Sequence, residues 1–100
     1  MNKEQFLLLK LSEECAEVSQ RALKQIQFGK TEVQVGQALT NGERLKDKIK
    51  DLMVIVTMLE ERQFIPEVDR FSDAYIAKKL KLQKYLDYSA ELGVLPEIKL

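Results

Sequence analysis

Residues 3–28 read KEQFLLLKLSEECAEVSQRALKQIQF, and they decide the fold because their apolar side chains recur at spacings of three and four. This spacing predicts one long amphipathic helix from Lys3 to about Phe28. Asn2 is expected to cap the helix, with Gln5 returning a hydrogen bond to the backbone. Gly29 follows directly and predicts the end of the helix.

One stripe of this helix is apolar and is expected to face the core. Cys15 lies on the stripe and is the only cysteine, so it cannot form an internal disulfide. We interpret it as a small core residue rather than as a nucleophile. The members of the stripe are Leu7, Leu11, Glu14 or Cys15, Val18, Ala22 and Ile26.

Glu14 and Glu17 border the apolar stripe and lie three residues apart. Helical side chains at this spacing leave the same face one turn apart, so the two carboxylates converge and a positive group must lie opposite them. That group is either a hard cation such as Mg2+, which takes oxygen ligands, or a basic side chain. An ordinary solvated face is the third interpretation, with Lys10 paired to Glu14 and Arg21 paired to Glu17.

A second helix is predicted from about Gly42 to Arg62, with Thr40 or Asn41 as its cap. Residues 30–41 are interpreted as a connection that contains at most one short helical turn, although a marginal β-hairpin is possible. The apolar arc of the second helix is wide, which indicates contact with more than one neighbour. Its members are Leu45, Ile49, Leu52, Met53, Ile55, Val56, Met58 and Leu59.

A third helix is predicted from its cap Ser72 to about Leu92, after a bend over residues 66–71. Gly93 follows the helix and Pro96 lies beyond it. We expect the inner face of this helix to consist of Ile76, Leu80, Gln83, Leu86 and Ala90.

Composition limits the classes of function. The 16 basic and 16 acidic residues cancel, which argues against general binding to nucleic acid or to an anionic membrane. The chain begins without a signal-peptide pattern and lacks the roughly 20 apolar residues of a bilayer span, so a cytoplasmic location is expected. Because the chain has no histidine, any catalysis must use carboxylates, lysines, tyrosines or metal-bound water. Residues 1–100 fit a single helical domain, which is expected to complete its core by self-association.

The acidic residues of the first two predicted helices resemble a known pair of motifs. Residues 13–17 read Glu-Glu-Cys-Ala-Glu, and residues 47–51 read Asp-Lys-Ile-Lys-Asp and lead into an apolar helix. They look like the EExxE and ExxD helix pair of MazG-like nucleoside triphosphate pyrophosphohydrolases. Residues 77–86 are similar to the C-terminal helix of small phage and bacterial members, so the resemblance spans most of the chain.

The resemblance implies an all-α helical bundle of three main helices that assembles as a dimer or tetramer. It also implies Mg2+-dependent hydrolysis of an NTP or dNTP to the monophosphate and pyrophosphate. Glu14 and Glu17 match the metal ligands of the first motif, and Asp51 matches the last acid of the second. Glu13 or Glu14 is the candidate catalytic base, since no histidine exists.

Lys48 departs from the family pattern, which has a glutamate at this fourth ligand position. A protonated ammonium cannot bind a metal, and its charge repels a cation. In one outcome Lys48 swings aside and leaves three carboxylates, with Asp47 as a poorly aimed substitute. In the other, which we favour slightly, the ammonium enters the cluster of Glu14, Glu17 and Asp51 and replaces the metal. Magnesium affinity is then weakened or lost.

The third helix carries candidate nucleotide-binding residues. Lys78 and Lys81 could hold the triphosphate, while Tyr85 offers its ring edge or hydroxyl to the nucleotide. A solvated charged face explains the same lysines equally well. A DNA-recognition helix is less attractive, because no helix-turn-helix spacing accompanies it. The rival function for the whole chain is a non-catalytic helical assembly module, in which acidic and basic faces pair.

Overall fold

The computed structural model describes residues 1–95, and its secondary structure consists of helices joined by turns and bends. Since these residues form no strand, the fold class is all-α as predicted, and residues 30–41 form no β-hairpin. Pro96 lies outside the described residues. The three helices are α1 (Lys3–Phe28), α2 (Asn41–Glu61) and α3 (Asp73–Glu91).

The chain divides into two compact units, Met1–Pro66 with α1 and α2, and Glu67–Leu100 with α3. The single domain expected over residues 1–100 stays a prediction. Within residues 1–95, no helix combines the length and the apolar content that crossing a bilayer requires.

The ends of α1 lie where the sequence predicts them. The side chain of Asn2 accepts a hydrogen bond from the backbone N of Gln5 at 2.8 Å, and the side chain of Gln5 accepts one from the backbone N of Asn2 at 2.9 Å. This reciprocal pair is a capping box. Gly29 ends the helix with a φ of 87°, a conformation that glycine adopts readily because it has no Cβ.

The other two helices also begin at hydroxyl caps. Thr40, rather than Asn41, caps α2: its Oγ1 accepts from the backbone N of Glu43 at 3.1 Å. The carboxylate of Glu43 accepts in return from the backbone N of Thr40 at 3.2 Å, and this bond is the main cause that lowers the pKa of Glu43. Ser72 caps α3 as predicted, since its Oγ accepts from the backbone N of Tyr75 at 3.1 Å.

α1 and α2 pack against each other as an antiparallel pair. Phe6, near the start of α1, lines the same apolar groove as Met58, near the end of α2. At the opposite end of the pair, Asn41 Nδ2 donates to the backbone O of Gly29 at 2.9 Å. The first half of α2 therefore lies beside the second half of α1, which is where the two acidic motifs can meet.

The apolar core of this pair is small. Leu7 and Leu59 are the only buried apolar side chains among residues 1–95. On α2, Leu52 is half-buried, whereas Ile49 and Met53 are each 41% exposed. The apolar arc of α2 is thus wider than the surface that α1 covers.

The apolar stripe of α1 differs from the prediction at two positions. Ile26 is 80% exposed because an α-helix turns about 100° per residue, which places Ile26 about 100° around the helix from Leu7. The interpretation of Cys15 as a core residue is wrong: it is exposed and lies about 80° from Leu7. Glu14, the other residue predicted at that turn, lies on the inner face together with Arg21, and both are half-buried.

α3 carries no buried residue between Asp73 and Glu91. Leu80 is 66% exposed and Leu86 is 53% exposed, although both belong to the predicted inner face. Gln83 of the same face donates from Nε2 to Asp87 Oδ1 at 3.0 Å. The predicted inner face of α3 is therefore not buried in a single chain.

Candidate acidic site between the first two helices

Four charged side chains of α1 and α2 interact across the helix pair. The ammonium of Lys48 donates a hydrogen bond to Glu17 Oε2 at 2.8 Å and lies 3.7 Å from Asp51 Oδ2. Glu14 interacts electrostatically with the other three. We call Glu14, Glu17, Lys48 and Asp51 the Lys48 cluster. The structure therefore brings together the three acids named from the sequence, with the ammonium among them as in the favoured arrangement.

The hydrogen bond between Lys48 and Glu17 shifts both titrations toward the charged forms. It is the main cause that lowers the pKa of the Glu17 carboxyl. It is also the main cause that raises the pKa of the Lys48 ammonium, with the charges of Glu14 and Asp51 adding to the effect. A charge-assisted hydrogen bond thus joins the two helices.

Glu14 has the opposite shift from its neighbour Glu17. Loss of hydration raises the pKa of Glu14, and the negative charge of Glu17 raises it further. Glu14 Oε2 is buried and accepts no hydrogen bond. Two carboxyl groups one turn apart therefore differ in basicity, and Glu14 binds a proton more readily than Glu17 does.

As arranged, these residues do not fit a magnesium ion. Among residues 1–95, no group of three or more His, Cys, Asp or Glu side chains could hold a metal ion. Lys48 explains this, because the carboxylate of Glu17 is directed at its ammonium and Asp51 lies beside it. Mg2+ requires a near-octahedral set of oxygen ligands, so it would have to displace Lys48.

The solvated-face interpretation is wrong in its pairings. Lys10 lies 3.1 Å from Glu13, not from Glu14, since Glu14 is turned toward α2. Glu17 pairs with Lys48 rather than with Arg21. Glu13, the other candidate base, is exposed and is held by Lys10 outside the Lys48 cluster.

A shallow groove of about 380 Å3 lies beside the Lys48 cluster. Arg21 is half-buried in it, and its Nη1 is buried without a hydrogen-bond partner. Arg44 Nη1 donates to Gln34 Oε1 at 2.9 Å. Two guanidinium groups in one groove suit a phosphate group, which accepts bidentate hydrogen bonds. The groove is lined by Glu17, Gln20, Arg21, Arg44, Asp47 and Lys48.

Sequence reasoning missed Arg44 and assigned Arg21 only to an ion pair with Glu17. A signal for both was present in the spacing. Arg44 precedes Lys48 by four residues and Arg21 follows Glu17 by four, so each lies on the face that carries the cluster. Spacing along each helix would have found them once the helices were known to be antiparallel.

The candidate nucleotide-binding residues of α3 lie in the second unit. Lys78, Lys81 and Tyr85 are exposed, and the Lys81 ammonium lies 6.0 Å from the centroid of the Tyr85 ring. This distance allows a cation–π contact within the helix. Nucleotide binding by these three residues stays a prediction.

Comparison with protein-family models, with curated proteins and with solved structures found no match to this chain. The likeness to the MazG-like family therefore rests on the two acidic motifs and on residues 77–86 of the sequence alone.

Proposed function

We propose that this protein is a MazG-like nucleoside triphosphate pyrophosphohydrolase whose affinity for Mg2+ is weakened by Lys48. The observation that carries the proposal is the meeting of Glu17 and Asp51, one from each motif, on a single ammonium at 2.8 and 3.7 Å. Carboxylates that converge on one point repel each other unless a cation lies between them. Groups whose pKa values are shifted by their neighbours cluster at functional sites, and the pKa values of Glu14 and Glu17 are shifted in opposite directions.

The groove beside the Lys48 cluster supports a phosphate-containing substrate. Arg21 brings a guanidinium nitrogen without a hydrogen-bond partner, and Arg44 lines the same groove. An arginine fork binds phosphate oxygens in a fixed geometry. In the proposed complex these two residues hold the phosphate chain next to the carboxylates. Because the substrate is a nucleoside triphosphate, a cytoplasmic location is part of the proposal.

Glu14 is the better of the two candidate bases. A general base works best when its pKa is raised toward the working pH, and burial together with the charge of Glu17 raises the pKa of Glu14. Glu13 is exposed and paired with Lys10. In the proposed reaction, Glu14 accepts a proton from the attacking water and Arg21 stabilises the phosphate charge.

The direct test is pyrophosphate release from a panel of NTPs and dNTPs in millimolar Mg2+. We expect slow turnover by this chain and faster turnover by Lys48→Glu, which restores the family's motif. Lys79→Glu makes the same charge change on an exposed position of α3 and should leave the rate unchanged. Turnover by neither the chain nor Lys48→Glu would contradict the proposal.

A second candidate function is a non-catalytic helical assembly module. The ion pairs of Lys48 with Glu17 and Asp51 favour it, because they give the acidic residues a role in joining the helices. It becomes the better proposal if Lys48→Glu binds Mg2+ and still releases no pyrophosphate.

Self-association to a dimer or tetramer is part of both candidates. Leu7 and Leu59 are the only buried apolar side chains of residues 1–95, and burial of one such side chain stabilises by about 1.5–3 kcal/mol. A core of this size is small for a domain of about 100 residues. Covering the exposed apolar residues with a second copy supplies the missing burial, and sedimentation equilibrium measures it.

A further inference from the structure

The face of α2 that points away from α1 is a stripe with apolar residues at its middle and opposite charges at its two ends. Met53 is 41% exposed and Val54 is 52% exposed, and both lie at the middle of the stripe. Lys46 lies near its start and Glu61 at its end. All four line one shallow groove that is formed by α2 alone. The charges and the apolar centre follow a spacing of three and four, which is the pattern of a helix–helix seam.

We propose that this groove binds a second copy of the chain, with the two α2 helices antiparallel about a twofold axis between Met53 and Val54. The proposal rests on the self-association inferred above and names the surface and register that mediate it. In this register, Lys46 lies opposite Glu61 of the partner subunit, and the reverse contact follows by symmetry. The apolar centre then meets itself, since Met53 lies opposite Val54 of the partner subunit.

Charge selects this orientation over the alternative. A parallel pair would place Lys46 against the partner's Lys46 and Glu61 against the partner's Glu61, and like charges in contact are unfavourable. In the antiparallel register the remaining lysine of the stripe, Lys50, lies opposite Thr57 of the partner subunit, which is neutral. The stripe is therefore complementary to itself in one orientation only, so a copy of this chain is the partner that it fits.

Disulfide cross-linking tests the orientation. Cys15 is exposed, so the variants are made in a Cys15→Ser background. The two copies of Val54→Cys lie next to the axis, about 1.5 Å apart along the helices, whereas the two copies of Lys46→Cys lie about 22 Å apart. Mild oxidation should cross-link Val54→Cys nearly completely and Lys46→Cys not at all. A parallel dimer would cross-link both.

Charge reversal tests the register. Lys46→Glu and Glu61→Lys should each raise the dimer dissociation constant about tenfold, because two symmetric contacts change from attraction to repulsion. The double variant should return to within about threefold of the original value. Lys50→Glu is the matched control, because it lies one turn away on the same stripe and opposite the neutral Thr57 of the partner subunit. Adding Glu61→Lys to it should not restore the dissociation constant. Sedimentation equilibrium gives the constants, and circular dichroism verifies that each variant stays helical.

The outcomes separate this inference from the proposals before it. A monomer at high micromolar concentration overturns both the α2 dimer and the proposed self-association. A dimer that cross-links through Lys46→Cys, or that the double charge reversal fails to restore, overturns the α2 register alone. The pyrophosphate assay is read separately, so an inactive chain that forms this dimer counts only against the proposed enzyme.

Discussion

Replacing Asn41 by Asp keeps the shape of a buried side chain and removes its donor, so it should destabilise the α1–α2 unit. Asn41 is 2% exposed. Its Nδ2 donates to the backbone O of Gly29 at 2.9 Å and to Glu32 Oε1 at 3.1 Å. In Asn41→Asp both contacts join two acceptors, and one of them joins two carboxylates.

The size of the loss follows from these two contacts. A hydrogen bond contributes about 0.5–1.5 kcal/mol net, a bond to a charged group contributes more, and a buried group left unpaired costs about 1–3 kcal/mol. We expect Asn41→Asp to lower the free energy of unfolding by about 2–4 kcal/mol at pH 7. Asn41→Ala loses the bonds without placing an acceptor there, so about 1–2 kcal/mol is expected.

Urea denaturation followed by circular dichroism measures the change, at one fixed protein concentration because self-association adds to apparent stability. Glu32→Gln is the matched second variant. Its amide can donate to the new carboxylate, so it should restore part of the stability of Asn41→Asp and change the parent chain little. A loss below about 0.5 kcal/mol for Asn41→Asp, the size of an ordinary surface substitution, would refute the structural role of Asn41.

Three further predictions concern the Lys48 cluster and the buried core of the α1–α2 pair. Millimolar Mg2+ should raise the melting temperature of Lys48→Glu more than that of this chain, because the ion binds only the folded state and the ammonium no longer competes; an equal rise would show that Lys48 leaves the cluster readily. On the acid side, the lowered pKa of Glu17 contributes stability that is present above its ordinary value of 4.5 and is lost as the pH falls below it. The raised pKa of Glu14 acts in the opposite direction, since its deprotonation above pH 4.5 disfavours the folded state. Acid unfolding of Lys48→Met should lack the contribution of Glu17, and adding Glu14→Gln should remove that of Glu14 as well. The two variants therefore separate the two contributions to the dependence of stability on pH. Leu59 has 0% exposure, so Leu59→Ala should cost about 2–5 kcal/mol, whereas Leu23→Ala, at a position that is 58% exposed, should cost about 0.5 kcal/mol or less, as read from urea midpoints.

The helix ends could be predicted from the sequence because their causes are local. Asn2, Thr40 and Ser72 carry side-chain oxygens that bond to backbone within three residues, and Gly29 supplies the conformation that ends α1. No knowledge of the rest of the chain is needed for such contacts. The all-α class followed from the same patterns.

The inner face of α1 was harder to predict, because a count of apolar residues ignores the angle of each side chain around the helix axis. Steps of three and four keep Leu7 and Val18 on one side, but the rotation has carried Ile26 outward by the end of the helix. Polar Arg21 and Gln25 then lie inside, and each keeps a buried atom without a hydrogen-bond partner. A sequence pattern shows hydrophobicity, whereas the angle around the helix decides burial.

The site was predictable in part. Glu14, Glu17 and Asp51 were identified from spacing and resemblance, and the structure places them around Lys48. Arg44 was missed because its relevance depends on which side chains of α1 lie beside it, which is a long-range fact that no single helix contains. The partner of Lys10 was missed for the same reason. Lys10 pairs with Glu13 because Glu14 faces α2, and the position of α2 cannot be read from α1 alone.

Lys48 is an internal counterion that cannot diffuse away. A bound metal exchanges with solution, so a site that uses one follows the supply of that metal and can be emptied by a chelator. An ammonium tied to the backbone stays near the carboxylates when metal ions are removed from the solution, and its hydrogen bond to Glu17 raises its pKa above the ordinary value of 10.5. At this point between α1 and α2 the carboxylates are therefore neutralised by a side chain of the chain itself, and this contact needs no ion from the surrounding solution.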